Sequence, residues 1–188
     1  MVPWRPMGIL LAVFASAAPL AAAEAARPHI SPLVAKVRGT EVLLKFRLDG
    51  ALNPDLATRI QAGLETAIRY EIRLYRHNAH WFWDYRLGTR QYRAAVTYDP
   101  VTHEYVLVET MDEKPLSRFT TRDFAEVARR LVSQESLLVF RVRSDGLTNL
   151  YVTMRATFDS GYVFTIIPVD SRTEWAESNR FEVKAVAP

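Results

Sequence analysis

The residue types best suited to metal or acid–base chemistry lie together in one short stretch, residues 77–84. His77 and His80 stand three positions apart, and Asp84 follows them. Imidazole and carboxylate groups bind zinc, but a zinc site needs three or four ligands that converge from a fixed scaffold. On a helix two histidines at this spacing would converge, whereas at a connection between strands they need not. The pattern therefore admits a metal site at His77, His80 and Asp84 but favours a solvent-exposed connection, and no cofactor is expected.

The same stretch contains a run of aromatic residues that would suit the binding of a sugar, a peptide or a protein partner. Trp81, Phe82 and Trp83 are consecutive, and Tyr85 follows them. Aromatic side chains bury a large area at a low cost in conformational entropy, and they are enriched at interfaces. They are also typical of a half-buried strand, in which Trp81 and Trp83 would pack in the core while Phe82 points the other way. We favour core packing for the two tryptophans and leave Phe82 open as an exposed contact.

Arginines flank the aromatic run and would create a cationic sheet face if their charges were free. Such a face could bind lipid A phosphates, an acidic polysaccharide or an acidic partner. Glu65 and Glu71 stand nearby, and a polar outer face balanced by these carboxylates is the interpretation that we favour. The arginines are Arg69, Arg73 and Arg76 before the run, and Arg86, Arg90 and Arg93 after it. The candidate binding residues are therefore Trp81, Phe82, Trp83, Tyr85, Arg73 and Arg86.

The sequence offers no recognisable set of catalytic residues elsewhere. It has no cysteine and no G-x-S-x-G turn, and Gly146 and Gly161 stand alone, without the spacing that cradles a phosphate. The carboxylate pair Asp112–Glu113 lies in a polar stretch, where such pairs are common surface features. A catalytic site needs several groups in defined roles. We therefore favour a binding module over an enzyme.

Composition and charge indicate one ordinary globular domain. The chain has 188 residues, of which 49% are hydrophobic and 24% charged, as in folded rather than disordered proteins. Its net charge of +3 comes from interleaved basic and acidic residues. Nucleic-acid binding usually requires a clustered basic patch, so no nucleic-acid partner is expected.

The N-terminal residues have the pattern of a secretory signal peptide. Arg5 precedes an apolar stretch at 8–22, which is short for a membrane span, and small residues follow. We expect a signal peptide over residues 1–23, cleaved after Ala23 or Ala25, and a single β-rich domain over 28–188. The protein would then be exported to the periplasm or another extracytoplasmic site. It would contact a membrane only if the segment stayed uncleaved.

Two long antiparallel strands must position residues 77–84. Residues 68, 70, 72 and 74 are apolar or aromatic and alternate with polar ones, which is the period of a strand with one buried face. On the returning strand the apolar set occupies odd positions before Gly88 and even positions from Tyr92. One inserted residue at a β-bulge reverses every later side chain. We therefore expect a bulge near Gly88 that brings Trp81, Trp83, Tyr85 and Leu87 onto the core face; the alternative is outward tryptophans and no bulge.

The remaining patterns predict a mainly β, α+β fold: an antiparallel sheet or sandwich of about eight strands with two short helices. A hairpin is expected over 33–48, then a helix capped by Asn53, a strand at 105–108 and a polar connection at 111–117. Thr120 and Asp123 would cap a second helix that buries Leu131. A second hairpin would join 138–142 to 150–158 through a turn at 144–146, with further strands at 162–167 and 180–186.

These features resemble the bacterial domain-of-unknown-function family numbered 4390. The resemblance rests on the leader, the opening hairpin, the Trp81-x-Trp83 pair, and Tyr92, Tyr98, Thr102 and Tyr105. It implies an exported protein with a β-rich fold, no established activity and no catalytic residues. We expect a non-enzymatic binding or interaction module of the bacterial cell envelope, whose partner is another envelope protein or a surface component. The alternative is a small-ligand- or metal-binding protein, or an enzyme, that uses a cleft near His77 and Tyr85.

Overall fold

The computed structural model describes residues 27–79, 82–142, 147–159 and 172–183. The leader, the turn at 144–146, the strand expected at 162–167, and His80 and Trp81 lie outside these residues. The elements in the described part are β1 (His29–Arg38), β2 (Glu41–Asp49), α1 (Pro54–Gln61), β3 (Thr66–Arg76), β4 (Tyr85–Asp99), β5 (Glu104–Met111), β6 (Lys114–Thr121), α2 (Phe124–Val132), β7 (Ser133–Arg141), β8 (Leu147–Asp159), β9 (Ala176–Glu177) and β10 (Phe181–Val183).

The strands form two antiparallel sheets, which confirms the predicted mainly β, α+β fold. A three-stranded sheet has the order β1-β2-β7, and a seven-stranded sheet has the order β10-β8-β3-β4-β5-β6, with β9 paired to β8. β3 and β4 lie at the centre of the large sheet and pair over eleven positions, as the sequence predicts. The large sheet therefore depends on the two strands that flank the aromatic run.

Alternating side chains of both sheets meet in one hydrophobic core. Ile68, Tyr70 and Ile72 of β3 are fully buried, and so are Val42 and Leu44 of β2. The same strands present polar residues on their other faces, so the period-two pattern reflects burial on one side. The hairpin of β1 and β2 and the inward set on β3 are thereby confirmed.

Three aromatic rings join the sheets at the centre of the core. Phe46 of β2 packs against Tyr70 of β3, with ring centroids 4.9 Å apart, and against Tyr92 of β4 at 6.4 Å. The hydroxyl of Tyr70 donates to the backbone oxygen of Leu131 in α2 at 3.4 Å. Burial raises the pKa of both tyrosines above the ordinary phenolic value, so both hydroxyls remain protonated donors at neutral pH.

The two helices begin at side-chain caps. Asn53 Oδ1 accepts the backbone N–H of Leu56 at 2.8 Å, as predicted for α1. α2 begins three residues later than predicted, because its cap is Asp123, whose carboxylate accepts the N–H of Ala125 at 2.8 Å. Thr120 belongs to β6 instead.

A β-bulge in β4 confirms the irregularity predicted near Gly88. Leu74 of β3 lies opposite Gly88, but the next residue, Tyr75, lies opposite Arg86, so one residue of β4 between them has no partner. A Cβ at Gly88 would lie 3.1 Å from the ring of Phe140 in the other sheet. Glycine at this position therefore allows the two sheets to approach each other.

The bulge does not bring Trp83, Tyr85 and Leu87 into the core, so the core packing predicted for these three residues is wrong. Their exposed fractions are 71%, 55% and 45%. The buried part of β3 ends at Leu74, and the two strands continue beyond it. Tyr85 lies opposite Arg76, beyond the last buried residue of β3.

Two connections differ from the predictions. The polar segment expected at 111–117 turns at Asp112 and Glu113, both with positive φ, and continues as β6 at the edge of the large sheet. β7 and β8 do not form the predicted hairpin, because β7 pairs with β2 whereas β8 pairs with β3. The chain therefore changes sheets between them.

Candidate functional site

Asp84 fastens the connection between β3 and β4 to the large sheet. Its Oδ1 accepts the Nδ1–H of His77 at 3.1 Å and the backbone N–H of Asn78 at 3.0 Å. Its Oδ2 accepts the hydroxyl of Tyr151 in β8 at 2.6 Å. A carboxylate can only accept such bonds, which defines the direction of all three. Asp84 and His77 therefore hold the backbone that carries the aromatic run.

These bonds lower the pKa of Asp84 below its usual value. The hydroxyl of Tyr151 contributes most, the N–H of Asn78 adds to it, and burial opposes both. Burial and the Asp84 carboxylate together raise the pKa of Tyr151. The contact therefore joins an ionised acid to a protonated phenol at neutral pH.

We expect this contact to weaken in acid. The pKa of Asp84 is lower in the folded protein than in the unfolded chain, where it is about 3.9. The ionised carboxylate therefore stabilises the fold at pH values above about 3.9. This stabilisation is lost as the pH falls through the pKa of the folded state. Asp84→Asn should lower the free energy of unfolding by about 1–2 kcal/mol at neutral pH. When urea titrations are repeated at several pH values, the difference in the free energy of unfolding between Asp84→Asn and wild type should shrink below about pH 4. A difference that stays constant with pH would contradict this role.

An open cleft of about 580 Å³ lies between the connection and the outer face of the large sheet. Its floor contains Tyr75 and Tyr151, whose rings stack with centroids 5.4 Å apart and planes inclined by 15°. They lie directly opposite each other on β3 and β8, so strand register creates the stack. Phe82 and Trp83 form one wall, and Trp175 forms part of the other.

Two arginines, Arg73 and Arg155, stack on the indole of Trp175. Glu71 accepts Arg73 on one carboxylate oxygen and Arg155 on the other, with N–H donors 2.6–3.0 Å away. Both guanidinium groups then lie over the indole of Trp175, at 4.2 and 4.6 Å from its ring centroid. Burial disfavours ionised Glu71, but the hydrogen bonds from the arginines outweigh it and lower its pKa. This carboxylate–arginine–indole stack forms one side of the cleft.

Side-chain hydrogen bonds hold the segment that carries Trp175 against both sheets. Thr173 Oγ1 and Ser178 Oγ each accept a backbone N–H of β8, at 2.9 and 3.0 Å. Asn179 accepts the N–H of Ala35 in β1 at 2.8 Å and donates to its oxygen at 3.1 Å. The segment is therefore anchored on both sides of Trp175.

A family model gives the only assignment among the comparisons with known proteins. The model, described as a domain of unknown function (DUF4390), matches residues 25–161. The chain belongs to the DUF4390 family. No curated protein and no solved structure matches the chain. Membership confirms the resemblance drawn from the aromatic motifs, and it assigns no reaction and no site residue.

The DUF4390 match includes the connection and strands β1 to β8 but ends before Trp175, so the cleft combines residues inside and outside the family region. Sequence reasoning missed Tyr75, Tyr151 and Trp175. The two tyrosines had a usable signal, because both stand on predicted strands at outward positions. Trp175 had none, since it is a lone tryptophan in an irregular segment.

The predicted site residues of this DUF4390 protein separate into three groups. Phe82, Trp83 and Arg73 line the cleft. Arg73 already forms an ion pair with Glu71 and a cation–π contact with Trp175. Tyr85 lines a neighbouring depression of about 500 Å³ that also includes His77. Arg86 lies opposite Tyr75 on the outer face of the sheet. Trp81 and His80 lie outside the described residues.

The described residues contain no group of three or more histidine, cysteine or acidic side chains close enough to share a metal ion. His77 and Asp84 bond to each other, and His80 belongs to the undescribed part. In the same described ranges, no helix has the length and apolar character needed to cross a membrane.

Proposed function

We propose that this protein is a non-enzymatic binding module of the bacterial cell envelope. Its binding surface is the exposed aromatic connection between β3 and β4 together with the adjoining cleft. The observation that carries the proposal is the exposure of two large aromatic side chains on an anchored backbone: Phe82 is 98% exposed and Trp83 is 71% exposed. Large apolar side chains that are exposed next to each other on a soluble protein mark interaction sites more than single exposed ones do.

The anchoring supports a binding role over a purely flexible connection. Asp84 holds the backbone on one side of the cleft, and the stack of Trp175 on Arg73 and Arg155 holds the other. A surface that is ordered before binding loses less conformational entropy when it meets a partner. These contacts therefore favour recognition by the aromatic rings beside the cleft.

The envelope location is supported by the signal-peptide pattern of residues 1–23. This pattern fits an exported protein whose partners are other components of the envelope.

Cosedimentation with washed envelope fragments of the source bacterium tests this function. We expect the double variant Phe82→Ala/Trp83→Ala to lose at least about tenfold in binding, because each aromatic contact contributes one or more kcal/mol. The matched control is Val101→Ala/Leu116→Ala, which also removes two exposed hydrophobic side chains but at other places on the large sheet. Binding of the aromatic variant equal to that of the control would contradict the proposal.

The dimensions of the cleft favour a second candidate, the binding of a small ligand. Its volume of about 580 Å³ falls within the usual range for ligand sites, about 300–1,000 Å³. Tyr75 and Tyr151 provide stacking surfaces, and Thr153 a hydroxyl, inside it. A ligand retained by the purified protein and lost in Trp175→Ala would favour this candidate over a macromolecular partner.

A further inference from the structure

The end of the β3–β4 hairpin concentrates exposed apolar side chains in a way that no other described region does. Of the nine large hydrophobic side chains exposed in the described part of the chain, four lie within residues 82–87. They are Phe82, Trp83, Tyr85 and Leu87, and we call this group the aromatic tip. Three of the four are aromatic, and two are the amphipathic types that are enriched at membrane–water interfaces.

Two arginines flank the aromatic tip where the strands end. Arg76 is the last residue of β3 and lies opposite Tyr85, whereas Arg86 lies opposite Tyr75. Because successive side chains of a strand alternate, the two arginines extend from opposite faces of the hairpin. Both are exposed, and neither forms an ion pair within the described part of the chain.

The acidic group of the connection, Asp84, pairs with neither of these arginines. Asp84 directs both carboxylate oxygens to internal donors, namely His77, Asn78 and Tyr151. The other arginines predicted for a cationic face are different, because Arg73, Arg90 and Arg93 each pair with a carboxylate. The tip thus presents apolar rings between two positive charges.

The size of this surface favours a membrane over a protein partner. A stable protein interface takes about 20–30 residues and buries roughly 800 Å² on each side. The aromatic tip has four side chains within a six-residue stretch at the end of a hairpin, and the ring of Phe82 projects almost completely into solvent. A bilayer surface can accept a projecting ring of this kind without a matching pocket, and its phosphates complement arginine.

We propose that the aromatic tip docks on a bilayer rich in anionic phospholipid. Phe82 and Trp83 enter the boundary between headgroups and acyl chains, while Arg76 and Arg86 contact lipid phosphates. Insertion stops at this depth because the irregular backbone at residues 77–79 and 82–84 needs water or headgroups as hydrogen-bond partners. This inference rests on the proposed function and specifies the envelope component that the surface recognises.

The docked orientation places the opposite end of the large sheet far from the lipid. β4 has fifteen residues, so at about 3.3 Å per residue its far end lies roughly 50 Å from the tip along the strand. Val101, which is 86% exposed, follows that end. It therefore provides a control position that is equally accessible but not expected to reach the membrane.

The absence of cysteine allows each position to be labelled separately. Phe82→Cys and Val101→Cys are made in the full chain and labelled with an environment-sensitive fluorophore. The probes are vesicles of phosphatidylethanolamine with phosphatidylglycerol, and vesicles of phosphatidylcholine alone. We expect a blue shift and an intensity increase at position 82 with the anionic vesicles, a much weaker response with neutral ones, and none at position 101. A leader that bound lipid by itself would not produce this positional difference.

A charge variant tests the role of the flanking arginines. Arg76→Glu/Arg86→Glu should reduce binding to anionic vesicles at least about tenfold, since each arginine near an anionic surface contributes about fivefold. Arg118→Glu/Arg122→Glu on the distant edge is the matched control, and thermal melts show whether each variant folds. An unresponsive label at position 82, or equal binding of the two charge variants, overturns the membrane inference. If binding to envelope fragments still depends on Phe82 and Trp83 in that case, the proposed function stands with a protein or polysaccharide partner.

Discussion

Phe46→Ala is expected to lower the free energy of unfolding by about 3–5 kcal/mol, as removal of a buried aromatic side chain usually does. The ring is 2% exposed and lies between the sheets, where it contacts Tyr70 and Tyr92. The surrounding side chains belong to paired strands that have little freedom to collapse into the space left behind. The variant therefore loses both the hydrophobic burial of the ring and its aromatic contacts.

Urea denaturation at neutral pH measures this loss through the transition midpoint. The matched control is Phe82→Ala, which removes the same atoms from a side chain that is 98% exposed. Phe82→Ala should change the free energy of unfolding by no more than about 0.5 kcal/mol. A loss below about 1 kcal/mol for Phe46→Ala would mean that the two sheets do not depend on this ring for their packing.

The strands with one buried face were predictable from sequence because burial itself produces the alternation. The inward positions of β2 and β3 had this signal, and so did those of β4 after the bulge. β6 had none, because at the edge of the sheet most of its side chains are exposed and polar. An edge strand of this kind has the composition of a connection, and only its pairing with β5 reveals it.

Pairing between strands was harder to predict than the strands themselves. β7 and β8 both alternate and are separated by turn residues, which is the usual signal of a hairpin. Alternation shows that one face is buried but does not identify the neighbouring strand. Arg155 of β8 pairs with Glu71 of β3, and Arg141 of β7 pairs with Glu41 of β2, so the partners are determined by contacts distant in sequence.

Only part of the candidate site was predicted, because local residue types do not reveal contacts between residues that are distant in sequence. The aromatic run and Arg73 were recognised from local residue types, and the structure brings Phe82, Trp83 and Arg73 to one cleft. The exposure of Trp83 was not predictable, since alternation does not tell where the core ends along a strand. Trp175 reaches the cleft through anchors on β1 and β8, and such long-range placement leaves no local pattern.

Leu131→Ala is expected to lower the free energy of unfolding by about 2–5 kcal/mol. Leu131 is 1% exposed on the buried face of α2, next to Val127 and Ala128. Its removal would leave a cavity where the helix covers the core, close to the hydroxyl of Tyr70 that bonds to its backbone oxygen. Arg129→Ala, on the exposed face of the same helix, should change the stability by less than about 0.5 kcal/mol.

Leu131→Ala also separates the effect on stability from the effect on binding. The start of α2 packs beside Tyr105, whose partner on β4 is Tyr98, near the end of the strand opposite the aromatic tip. Leu131→Ala should therefore melt at a lower temperature yet bind envelope fragments like wild type wherever it remains folded. Phe82→Ala/Trp83→Ala should show the reverse pattern, normal melting with weakened binding. A loss of binding in folded Leu131→Ala would show that recognition depends on the core as a whole rather than on the hairpin tip.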